Sequence, residues 1–156
     1  MGIIEKKLSE LGIEIPDVSL NPKLLFVPAV IVNNILYTAG AVPGPGDRSH
    51  RYTGHVGADL DVVQAREAAR QCAINLIGFI KYGVGDLDRV KRIVSLIGYV
   101  NSAPGFNRQP EVLNGASEVF LQVWGEDGKH VRTALSSNEL GNDACIECNA
   151  IVELKG

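Results

Sequence analysis

Apolar residues recur along this chain with two different periods, and the switches between them lay out the elements. Across residues 61–82, Ala65, Ala69, Cys72, Leu76 and Phe79 fall on one stripe at three- and four-residue spacing, which predicts an amphipathic helix. Asp59 or Asp61 can cap its start, and Gly83 and Gly85 end it. A second helix is predicted from Pro110, a residue suited to a first helical turn, with Val112, Ala116, Val119, Phe120 and Val123 as its inner face. A shorter helical period, Ile4, Leu8 and Leu11, stops at Gly12. Residues 24–32 and 35–41 read instead as strands around Asn33-Asn34, a good hairpin turn because Asn tolerates positive φ.

Residues 89–101 predict a long strand, and the apolar run at 93–100 suggests burial on both of its faces. After the second helix, residues 125–128 turn the chain into two final strands, 131–136 and 144–154. The order is therefore β-β-α-β-α-β-β behind a short helix, an α+β arrangement with two helices on one face of a sheet. We expect one domain over residues 1–156, with 1–22 supplying the N-terminal helix and a proline-bounded connection. The second sheet face has no layer of its own, so symmetric self-association is the expected cover.

Composition narrows the class. Aromatic residues make up 6% of the chain, so Ala, Val, Ile and Leu must build the core. A net charge of −3 without a basic tail gives no electrostatic reason to expect nucleic acid, and Arg89, Lys91 and Arg92 form only a local, solvated cluster. No apolar run reaches the length of a membrane span and residues 1–16 hold no signal-peptide core, so a cytoplasmic protein without a membrane partner is expected. Cys72 belongs to a helix stripe. Cys145 and Cys148 match C-x-x-C, but on a strand, where positions three apart point to opposite faces. His50, His55 and His130 add no standard zinc spacing, so structural cysteines and no metal are expected. In the loop at residues 42–52, Gly44-Pro45-Gly46 lacks the third glycine and the direct entry into a helix that a phosphate cradle needs.

The candidate chemistry lies between residues 132 and 151. Arg132 and Glu147 stand fifteen residues apart on the last two strands, taken here as neighbours. An acid within an apolar strand is costly to bury unless paired or hydrogen-bonded. A cation and a carboxylate on adjacent strands could bind a small anion and activate water beside it. A structural ion pair or a solvated edge would leave the same trace in the sequence.

This stretch resembles the C-terminal region of the RidA/YjgF family, the reactive intermediate deaminases. The resemblance runs from Phe26 to Leu154 and includes L-Y-T-A-G at 36–40, Y-T-G-H-V-G-A-D-L at 52–60, G-D-L-D-R-V at 85–90 and Y-V-N at 99–101. It implies a chorismate-mutase-like α+β fold assembled as a homotrimer with three clefts between subunits. It also implies hydrolysis of small reactive enamines or imines to 2-keto acids and ammonia, with no cofactor. In that picture Arg132 grips the carboxylate of a small metabolite, Glu147 positions the attacking water, and backbone near Gly40 completes the pocket.

The chain departs from the family pattern at several places. Phe26 stands where a tyrosine is frequent, Ala134 where a cysteine is common, and His130, Thr133, Glu139 and Gly141 replace the usual small residue and proline. Glu139 would add negative charge near the cleft and favour a larger or less anionic imine. Tyr37 and Tyr99 read as sheet packing. Phe26 and Ala134 favour an alternative, a non-catalytic trimer that binds a small carboxylate or regulates a partner. The RNA cleavage sometimes attached to this family fits least, given the acidic composition.

Overall fold

The computed structural model describes residues 1–18, 22–44 and 52–156. The long helix α2, Val62–Val84, begins at a reciprocal cap: Gln64 N donates to the Asp61 carboxylate at 2.8 Å, and Asp61 N donates to Gln64 Oε1 at 2.9 Å. Asp59, the other candidate cap, instead accepts from His55 N at 2.8 Å. The helix runs through Gly83 and stops at Gly85, whose φ of 74° suits glycine. Ala65, Ala69, Cys72 and Leu76 have no exposed surface, as their spacing predicts. Replacing the cap, Asp61→Ala, should lower stability by about 1 kcal/mol, seen as a reduced Tm with the helical circular dichroism of the folded state unchanged.

Helix α3, Gln109–Trp124, carries Pro110 in its first turn and buries Val112, Ala116, Val119, Phe120 and Val123. It packs closely on α2 at Gly115, where a Cβ would lie 2.1 Å from the Arg66 carbonyl oxygen. The short helix α1, Ile3–Glu10, is held by the Asp88 carboxylate, which accepts from Ile3 N at 2.7 Å and Ile4 N at 2.8 Å. An ion pair between Glu5 and Lys81 ties it to α2.

Five strands form one mixed sheet: β1 Ala29–Val32, β2 Ile35–Thr38, β3 Val90–Asn101, β4 Val131–Ser137 and β5 Ile146–Leu154. Their spatial order is β1-β2-β5-β3-β4, with β3 and β4 parallel and every other pair antiparallel. Asn33 turns the first hairpin at φ 56°. β1 starts later than the sequence suggests. Pro28 has no amide for the ladder, and Leu24, Leu25, Phe26 and Val27 ahead of it are exposed.

Both helices cover the same sheet face. A Cβ on Gly98 would meet Leu113 of α3, and Cys148, the register partner of Gly98, lies against Cys72 of α2. Leu96, Val100, Ile146 and Val152 fill this face without exposed surface. The alternate positions emerge on the other face, where Val131 is 69% exposed, Tyr37 44% and Leu135 41%. The apolar run in β3 is thus fully buried on one side only, because no element among the described residues covers Ile97 and Tyr99. That open face is what the element order anticipates. No helix among the described residues is long and apolar enough to cross a membrane.

All three cysteines are buried. Cys145 precedes β5, so strand alternation does not set its direction, and burial pushes its thiol up to about 12. Burial raises the Cys72 thiol as well. Protonated thiols of this kind are poor nucleophiles. Pro45, Gly46 and His50, which enter the sequence readings of the loop and of zinc ligation, lie outside the described residues.

Candidate functional site

Glu147 sits near the start of β5, with Tyr99 of β3 as its register partner and Leu135 of β4 beyond that. All three belong to the uncovered face. Among the described residues no donor reaches the Glu147 carboxylate, which is tolerable for a half-buried acid on a face open to water. The neighbouring strand makes room for it. From Tyr37 to Ala41 the chain advances four residues while its partner goes only three, from Ile151 to Cys148, so a bulge falls at Ala39 and Gly40. The carboxylate lies against this bulge. A Cβ on Gly40 would stand 2.7 Å from Glu147 Oε1, closer than any side chain could be held.

Arg132 lies on the other side of the sheet. Its register partner is the fully buried Leu96, so its side chain leans toward the helices from the edge strand β4. Among the described residues, the guanidinium is tethered only to α3. Nη1 donates to Asn114 Oδ1 at 2.8 Å and to Ser117 Oγ at 3.2 Å, and Nη2 donates to Pro110 O at 3.3 Å. Of the five N–H donors of an arginine, these contacts leave Nε–H and one Nη2 hydrogen without a partner among the described residues. Beside Nη1, Ser117 Oγ lies 2.9 Å from His130 Nε2, and His130 Nδ1 lies 2.7 Å from Gly128 O.

Arg132 and Glu147 are therefore not on adjacent strands. β3 lies between β4 and β5, and the two side chains leave opposite faces of the sheet. Sequence order suggested neighbours because the last two strands follow one another. The parallel pairing of β4 with β3 places it on the far edge instead. The structural ion pair, one of the readings open to the sequence, is thereby ruled out within the chain.

The remaining candidates divide between these two places. Ala134 follows Arg132 on the helix side and packs on the core, opposite Gly98. Phe26, 60% exposed, lies two residues ahead of Pro28, whose carbonyl accepts from Ala39 N at 2.7 Å. That contact sets Phe26 at the end of the hairpin that also carries Gly40. Glu139, expected near the cleft, lies 3.4 Å from His55 Nε2 within the chain. His55 also contacts Asn138 O at 2.9 Å, and this hydrogen bond, with the nearby charges of Glu139 and Asp59, raises its pKa. Asn114 and Ser117 escape a sequence reading that looks for charged groups. Their signal is positional: two polar residues three apart, hence on one side of α3, off its buried stripe.

Residues 5–151 match the family model described as "YjgF/chorismate mutase-like, putative endoribonuclease", and the chain belongs to that family. Protein TCP17 of Trypanosoma cruzi is 39% identical to it over 154 residues, 98% of this chain and 95% of that protein. Among solved structures, a protein of unknown function from Agrobacterium tumefaciens superposes with a TM-score of 0.87 at 38% identity, covering 97% of this chain and 92% of its own. A "putative endoribonuclease" from Shewanella oneidensis gives 0.89 at 29% identity, covering 98% and 100%.

Proposed function

We propose that this protein is a hydrolytic deaminase of small reactive enamines and imines, giving 2-keto acids and ammonia. The observation that carries the reading is that neither charged group is neutralised by another charge among the described residues. Glu147 has no donor among the described residues, and Arg132 is anchored so that Nε–H and one Nη2 hydrogen are left over there. A planar guanidinium edge matches a carboxylate bidentately and orients it as well as neutralising it. The enamine tautomerises to an imine; Glu147 takes a proton from water as the oxygen bonds to the imine carbon, and the nitrogen is protonated. With its first proton passed on to the nitrogen, Glu147 then relays the carbinolamine hydroxyl proton to the nitrogen, the C–N bond breaks, ammonia leaves and the carbonyl forms. General acid–base help of this kind contributes about 10²–10⁴-fold.

Because the two groups leave opposite faces, a site that uses both takes Glu147 from one protomer and Arg132 from another. A homotrimer closes three such clefts and covers the open sheet faces, whose Val131, Leu135 and Tyr37 are otherwise exposed to water. Light scattering at micromolar concentration should return a trimer, and a stable monomer would remove both the assembly and the cleft. Activity is tested by ammonia release from freshly generated 2-imino acids, with acceleration over the uncatalysed hydrolysis expected. Phe26 and Ala134 leave the site without a hydroxyl and a thiol, which favours binding without turnover as the second reading. Carboxylate binding that depends on Arg132 but accelerates no imine would decide for it.

A further inference from the structure

The guanidinium of Arg132 ends a chain of hydrogen bonds whose direction is fixed by chemistry. A backbone carbonyl only accepts, so the 2.7 Å contact with Gly128 O places the hydrogen of His130 on Nδ1. Nε2 of the neutral ring is then an acceptor and takes the Ser117 hydroxyl hydrogen across 2.9 Å. That leaves the lone pairs of Ser117 Oγ for Arg132 Nη1, which can only donate. Asn114 Oδ1 takes the second Nη1 hydrogen. Burial holds the His130 imidazole below its ordinary pKa, and the Arg132 charge acts in the same direction, which keeps the ring neutral. Of the other charges close by in sequence, Lys129 and Glu126 pair with each other at 3.1 Å, and Asp127 is exposed to water. Phe120 packs edge-on to the imidazole with ring centroids 5.6 Å apart, holding the ring plane.

We infer that Ser117 and His130 are positioning residues for Arg132: the series Gly128 O, His130, Ser117 fixes Nη1 against α3 and leaves Nε–H and one Nη2 hydrogen for an incoming carboxylate. This rests on Arg132 acting as the carboxylate clamp. An unanchored arginine on an edge strand samples many rotamers and must be ordered by its ligand. Here the ordering is complete before the ligand arrives, so the cost falls on folding and not on binding. His130 is one of the positions at which the chain departs from the RidA pattern, and the departure supplies an anchor, not a loss.

The test is calorimetric titration of 2-oxobutanoate into the assembled protein and its variants. Ser117→Ala and His130→Phe should each weaken binding about five- to tenfold, the scale of one hydrogen bond to a charged group's anchor. His130→Gln keeps an acceptor near the Nε2 position and should bind within about twofold of wild type. In an Arg132→Ala background, His130→Phe should change affinity no further, because the two act through one group. Unchanged binding in Ser117→Ala and His130→Phe, no rescue by Gln, or an undiminished effect in the Arg132→Ala background overturns the positioning role while leaving the clamp intact. Wild-type affinity in Arg132→Ala alone overturns the clamp, and the positioning role with it.

Discussion

Glu147→Gln should retain 2-keto acid binding yet lose imine hydrolysis by about 10²-fold or more. The substitution is nearly isosteric, so the amide should still lie over the bulge at Gly40, where a Cβ would stand 2.7 Å from Oε1. What it removes is the ability to take a proton from water. The carboxylate has no partner among the described residues, so no ion pair between them is broken and stability should barely change. Stopped assays on freshly generated 2-imino acids, with binding measured separately, read the two effects apart. An unaltered rate in the variant would show that water is activated elsewhere.

Arg132→Ala should have the opposite profile, weakening 2-keto acid binding by about 2–3 kcal/mol, the range for a charge-assisted hydrogen bond at a sheltered site. Its three protein contacts all reach α3 from an edge strand, so their loss leaves Asn114, Ser117 and the Pro110 carbonyl accessible to water. The fold should therefore survive, and affinity measured by titration isolates the loss of the cation. Affinity equal to that of wild type would mean that the carboxylate binds somewhere else.

Local physics made much of this fold legible. The stripe through Ala65, Ala69, Cys72 and Leu76, the cap at Asp61, the stop at Gly85 and the turn at Asn33 each depend on residues within a few positions, and each is found where the sequence puts it. The open sheet face follows from the element order in the same way. Long-range pairing was not legible. Nothing local says that β4 runs parallel to β3 and leaves β5 on the other side, and that pairing alone separates Arg132 from Glu147. The candidate residues stand where their strands put them, but the sequence could not give their faces without knowing the register. Glu139 shows the same limit, since only the folded loop brings it to His55. His130 was visible only as a departure, because its value lies in two hydrogen bonds to residues far apart in kind, a helix hydroxyl and a turn carbonyl.

With β3 standing between the acid and the cation, chemistry in this protein would belong to no individual polypeptide. A chain crippled at Arg132 and another crippled at Glu147, each inert by itself, would complement one another once mixed and reassembled, since some junctions would bring an intact half from each. Heredity of the defect would then be counted per junction, not per gene product. Substitutions at Val131 or Leu135, which touch neither group, could silence the protein by dissolving its partnership alone.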